Sequence, residues 1–414
     1  MSDFLQLAVL LVIILVAAKV SGYLSTLIHQ PAVFGELLVG VLLGPSLLNI
    51  TQLSFITNTH VGDFISEMGE IGVLLLMFLA GLELHLKDLA KNTRVSATAG
   101  ILGVILPVGM GLGFGELTGM DFNHGMFLGL TLGATSVSIS AQVLIELKKI
   151  QSKVGLAMLG AAVFDDILVI LLLSTFLAFL GGGSNFGEIV MVFVKMVVFL
   201  ALSVGVGLWL LPLITRWTSK LPISQGVATL ALVIMLIYGL AAELLGGMAA
   251  ITGTFIAGLM FARTPEKGII ETNLHSMAYA FFVPIFFVSI GLSVNLRTLD
   301  IQALWIILGI TVIAILGKII GAGGGALLSK FSWRESLQLG IGMISRGEVG
   351  LIIAKLGLDS GYLSADVFSA IVGMILITTL VTPPLLRTVF KKDDEVSPLQ
   401  PALEAEPEIK KENS

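Results

Sequence analysis

Cysteine is absent from the 414 residues, which excludes disulfide frameworks, thiol nucleophiles and thiolate metal sites. Charged residues make up only 12% of the chain, against 56% that are hydrophobic. A soluble domain cannot carry that balance, because too little polar surface remains to cover its core. Histidine is scarce as well: His29, His60, His85, His124 and His275 share no metal-ligand spacing, so no histidine metal centre or other cofactor is expected. The start, Met1-Ser2-Asp3, lacks the positive region of a signal peptide, so the first apolar run is expected to persist as a span.

What the chain has is apolar length. A helix needs ~20 apolar residues to cross ~30 Å of hydrocarbon, and little else lies between Phe4 and Phe390. Breaks at charged, Gly- and Pro-rich points predict an all-α polytopic membrane protein surrounded by lipid. About thirteen spans are expected, near 4–27, 32–48, 67–84, 95–117, 125–147, 154–180, 187–214, 223–243, 246–262, 274–294, 301–328, 335–357 and 362–390. Residues 391–414 are charged and poor in large apolar groups, and are expected to form a disordered tail. No nucleotide-binding regulatory domain is expected in this chain, and nothing points to nucleic acid.

Lysine and arginine orient this map. Lys87, Lys91, Arg94, Lys148, Lys149, Lys153, Arg216, Lys220, Arg263, Lys267, Lys330, Arg334, Arg387, Lys391 and Lys392 fall on one side, fifteen in all, and only Arg297 and Lys355 on the other. The expectation is a cell inner (plasma) membrane protein with its N-terminus outside and its C-terminus in the cytoplasm. A weak echo accompanies the asymmetry: GLELHLKDL at 81–89 answers GLSVNLRTL at 291–299. Leu128-Gly129-Leu130 likewise answers Leu339-Gly340-Ile341. Seven spans separate each pair, an odd number, so the two halves are expected to sit inverted, a recurrent design of secondary transporters.

A few polar residues stand where apolar ones belong. Asp165, Asp166, Lys318, Arg346 and Glu348 fall deep within spans, where an ionisable group costs at least ~2.5–3.5 kcal/mol. Adjacent helical positions point about 100° apart, so one aspartate can face a cavity while its neighbour faces another helix. Like charges so close push one proton affinity toward the physiological range. A carboxylate that exchanges a proton for a hard cation is the minimum machinery for antiport. The fifth span carries Thr135-Ser136-Val137-Ser138-Ile139-Ser140, and the twelfth carries Ile344-Ser345-Arg346-Gly347-Glu348. Both read as helix breaks, which would expose carbonyls to an alkali ion; Arg346 and Glu348 would offset the facing half-helix dipoles. Lys318 needs a carboxylate partner, and the aspartate pair is the obvious one. Gly321, Gly323, Gly324 and Gly325 allow another helix to approach closely. The run Gly321-x-Gly323-x-x-Ala326 matches a dinucleotide fingerprint only as a pattern, since no strand precedes it.

Together ATSVSISAQVL, FDD, Lys318 and SRGEVGLIIAKLG resemble the cation:proton antiporters of the Kef and Nap type, within the monovalent cation/proton antiporter superfamily. The resemblance runs from about residue 30 to 390. It implies a core domain (spans near 95–180 and 301–390) with crossed broken helices, a dimerisation domain (near 4–84 and 223–294), a linker span (near 187–214) and a homodimer. It also implies that Asp166 is the transport carboxylate, Asp165 the acid before it, Lys318 the salt-bridging lysine and Thr135 the unwound-segment threonine. Relatives with two acids are generally electrogenic Na⁺/H⁺ exchangers. Ser136 and Ser345 depart from residues common in the family, and they touch the choice of ion more than the mechanism. The expectation is therefore a transporter, not an enzyme, that exchanges Na⁺, or alternatively K⁺, for protons, with Asp165, Asp166, Thr135 and Ser136 holding the ion. An ion channel, an intramembrane aspartyl protease and a bile-acid-type symporter are the rivals. The protease would need its two aspartates on different helices, and here they are neighbours.

Overall fold

The computed structural model describes residues 2–54, 56–58, 60–84, 86–180, 186–293, 297 and 301–396, all helix and connecting turn. The helices are α1 (Asp3–Leu27), α2 (Ala32–Leu43), α3 (Val61–Leu82), α4 (Leu86–Lys91), α5 (Thr93–Leu117), α6 (Phe122–Gly133), α7 (Val137–Glu146), α8 (Lys153–Leu180) and α9 (Phe186–Thr218). They continue as α10 (Gly226–Ala241), α11 (Ala250–Phe261), α12 (Lys267–Met277), α13 (Val283–Leu292), α14 (Ile301–Leu328), α15 (Trp333–Gly342), α16 (Glu348–Asp359) and α17 (Ala365–Val396). Among the described residues ten segments are long and apolar enough to cross a membrane, and three shorter apolar helices accompany them. These match the thirteen expected spans.

The packing divides into two bundles related by the repeat. In one, α3 packs on α11 while α2 packs on α13; α1 lies on α2 as α10 lies on α11. In the other, α5 and α14 embrace each other, with α6 and α8 on α5, and α15 and α17 on α14. Each of these packings thus has its counterpart in the other half of the chain, which is what an inverted repeat requires. The long α9 stands between, against α8 on one side and α10 and α11 on the other.

Of the four glycines of the eleventh span, Gly321, Gly323 and Gly325 serve close packing as expected, whereas Gly324 faces open space. A methyl on Gly321 would meet the Leu102 carbonyl at 2.5 Å, and one on Gly325 the Thr98 carbonyl at 2.4 Å. In the other bundle Gly258 lies so near the Phe78 carbonyl that no side chain fits. Without such approaches two helices stay about 8–10 Å apart. A further break comes at Ala278–Phe282, a π-helical turn that links α12 to α13 just before Pro284, whose missing N–H leaves the local ladder incomplete.

Several boundaries differ from expectation. The third span begins at Val61 rather than 67, and the tenth begins with the amphipathic α12 at Lys267. Lys355 lies inside α16, not in a loop. Helix α17 continues through Val396, six residues into the segment expected as a tail; residues 397–414, and parts of the 81–89 and 291–299 echo, lie outside the described residues.

Candidate functional site

The two broken spans meet at their breaks. Helix α6 stops at Gly133 and α7 starts at Val137; α15 stops at Gly342 and α16 starts at Glu348. At ~1.5 Å per residue each piece is roughly half a bilayer long, so the free helix ends fall at mid-depth. The breaks are tied reciprocally: the Ser136 N–H donates to the Ser345 carbonyl at 2.9 Å, and the Ser345 hydroxyl donates to the Ser136 carbonyl at 2.6 Å. The Ser140 hydroxyl also donates to the Gly342 carbonyl. Of the hydroxyl run, Thr135 and Ser136 lie in the break, and Ser138 and Ser140 lie within α7.

Arg346 is 1% exposed. Its guanidinium donates to the carbonyls of Met343 at 3.0 Å, Ile344 at 3.1 Å and Ala314 at 3.1 Å. The first two belong to the exit from α15, so the charge lies against the negative end of that half-helix. The Thr379 hydroxyl in turn donates to the Arg346 carbonyl at 2.8 Å. Glu348 opens α16, and its side chain lies outside the described residues.

Beside this crossing, α8 presents its two aspartates in different directions. Asp165, 1% exposed, receives the Lys318 ammonium of α14 at 3.1 Å to one carboxylate oxygen and 3.3 Å to the other. Lys318 itself is wholly buried. The Thr135 side chain lies beside Asp165, its hydroxyl buried and short of a formed hydrogen bond. Asp166 points elsewhere, onto a small cavity of about 10 Å³ lined also by Val137, Ala162, Val163, Ile251 and Thr252. That is room for one water-sized occupant. Asp166 accepts a hydrogen bond from the Thr252 hydroxyl of α11 at 2.7 Å.

Among the described side chains, the expected site residues Thr135, Ser136, Asp165, Asp166, Lys318 and Arg346 thus lie at or beside one crossing. Thr252 was not foreseen. A threonine in an apolar helix is unremarkable in sequence, because its hydroxyl usually bonds back within its own helix. Larger and more open is a cavity of about 560 Å³ at the other end of α7, between the two bundles, with Lys19, Glu36, Gln142, Glu146, Tyr279 and Arg387 among its walls.

A family model described as "Sodium/hydrogen exchanger, transmembrane" matches residues 10–392. The chain is 42% identical over 392 residues to the Na⁺/H⁺-K⁺ antiporter GerN of Bacillus cereus, covering 95% of this chain and 97% of that one. It is 38% identical over 385 residues to a Na⁺/H⁺ antiporter of Enterococcus hirae, covering 92% and 98%. Among solved structures it is similar in fold to the sodium proton antiporter MjNhaP1 from Methanocaldococcus jannaschii, with a TM-score of 0.65 at 18% identity over 93% of this chain and 97% of that one.

Proposed function

Because the chain belongs to the transmembrane sodium/hydrogen exchanger family and is a cation:proton antiporter, we propose that Asp166 is the group its cation and protons share, and that Na⁺ is the principal cation. The observation that carries this reading is the division of labour between the aspartates. Asp165 is engaged by Lys318, whereas Asp166 faces a cavity of one-ion size with a hydroxyl as partner. Thr135 and Ser136, which precede the cavity-wall residue Val137 in the break, are assigned as further ligands of an ion at Asp166. K⁺ is a second substrate on this reading, supported by the name of the Bacillus cereus relative. The ions are cargo, and no resident cofactor is needed for their exchange.

Alternating access follows from the two bundles. The bundle of α5–α8 and α14–α17 is assigned as the moving core, the bundle of α1–α3 and α10–α13 as a scaffold that dimerises, and α9 as the link. The chain lies in the plasma membrane with its N-terminus outside. Glu348 is retained as a partner of Arg346 in offsetting half-helix dipoles.

The test is exchange by purified protein in proteoliposomes under an imposed pH gradient, with Na⁺, Li⁺ or K⁺ as counter-ion. Asp166→Asn keeps the volume and loses the charge, so it is expected to abolish coupled exchange while leaving an inserted, monodisperse protein. Substantial exchange by that variant would remove Asp166 from the role.

A further inference from the structure

The site's other polar groups, Thr135, Ser136, Asp165, Lys318 and Arg346, all belong to the core bundle. Thr252 does not. It is the third residue of α11, a helix packed on α3 and α10 of the other bundle and on the intervening α9. At 12 residues α11 is too short to span alone, so its first turn starts inside the bilayer. That first turn, Ile251 and Thr252, forms one wall of the cavity at Asp166. The scaffold therefore presents two things to the carboxylate: a hydroxyl donor at 2.7 Å and the positive end of a helix. Thr252 is 3% exposed.

We propose that Thr252 is a positioning residue of the exchange site, a scaffold hydroxyl that holds Asp166 in its cation-ready form in one facing state only. The proposal rests on the assignment of Asp166 above. A donated hydrogen bond favours the carboxylate over the carboxylic acid, and so favours cation over proton as the next occupant. When the core shifts relative to the scaffold, Asp166 leaves Thr252 behind, because the two residues ride on different bundles. Cation affinity then falls on the opposite face, where release is needed. The 560 Å³ cavity between the bundles reaches Glu146, Leu147 and Arg387, the end of the protein that carries the basic loops. The contact with Thr252 therefore belongs to the state open on that face, the cytoplasmic one.

The test compares Thr252→Val, which keeps the shape and removes the donor, with Thr252→Ser, which restores it. Exchange is measured in inverted and right-side-out membrane vesicles, varying Na⁺ on one face at a time. The Val variant is expected to raise the apparent KM for cytoplasmic Na⁺ about tenfold, the scale of a hydrogen bond to a charged group, with the external KM unchanged and Ser near wild type. Unchanged KM on both faces, or an equal rise on both, overturns the proposal. Thr252→Ala provides the same comparison should Val fail to accumulate. A failure of the underlying reading shows separately, as an Asp166→Asn protein that still exchanges.

Discussion

Lys318 sets the charge of the site. It is fully buried and holds both oxygens of Asp165, an arrangement whose rupture on one side leaves an unpaired buried charge, worth about 3–5 kcal/mol. Arg346 adds a second buried cation, but its donors go to two carbonyls at the exit of α15 and one within α14. Two carboxylates against the one ammonium then leave a single negative charge, which one monovalent cation would neutralise on the proposed assignment of Asp166. If the lysine also sheds its proton on cation entry, two protons move against one cation and the cycle carries charge. The expected result is wild-type exchange that responds to a K⁺/valinomycin clamp, since a potential acts with about 2.3 kcal/mol per charge per 100 mV. Lys318→Gln is expected to become indifferent to the clamp or to lose activity. An equally clamp-sensitive Lys318→Gln protein would exclude the lysine as proton carrier. These charged residues were legible in the sequence because they interrupt apolar spans. Thr252 was not, because its partner lies 86 positions away on another bundle.

At the scale of elements, the crossing of the two breaks depends on one missing side chain. A methyl on Gly347 would lie 2.6 Å from both the Cβ and the hydroxyl of Ser136, a residue whose backbone is held by the two hydrogen bonds to Ser345. Gly347→Ala must therefore part the breaks by several tenths of an ångström, and misplacement of that order is costly at a binding site. The expected outcome is a loss of exchange of at least about tenfold, with insertion and melting temperature near wild type. Gly324→Ala, whose methyl meets nothing within 4 Å, is the control expected to be neutral. Removing the opposing Cβ with Ser136→Gly should restore part of the activity of Gly347→Ala; a double variant no better than the single one would locate the damage elsewhere. The sequence marked both breaks, since a hydroxyl run and a glycine between charges weaken helices locally. It did not mark the start of α12, where Glu271, Thr272 and Asn273 fall before the expected span at 274 yet continue the helix. Polarity there reports contact with water and headgroups, not the end of backbone hydrogen bonding.

At the scale of the whole molecule, the core and scaffold touch through a small set of polar contacts around the larger cavity. The Tyr279 hydroxyl donates to Gln142 at 2.8 Å, and the Ala32 N–H donates to Glu146 at 2.8 Å. Such contacts are few enough to break and re-form as one bundle moves on the other. Which face the cavity opens to depends on the orientation of the whole chain, and that rests on the fifteen basic residues set against Arg297 and Lys355. The opposite end has an internal marker of its own. Asp121 is exposed and caps α6, and the His124 backbone N–H holds its carboxyl below the usual range. Between Asp121 and the basic loop at Lys148 run α6 and α7, roughly 35 Å of helix at ~1.5 Å per residue. The two ends therefore lie on opposite faces. A cysteine placed at the exposed Lys220 is expected to react with an impermeant maleimide only from the cytoplasmic face, and one at the exposed Thr118 only from outside. With no native cysteine in the chain, any label reports the introduced residue alone. The reverse pattern in intact cells would turn the molecule over, and with it the face on which Thr252 meets Asp166.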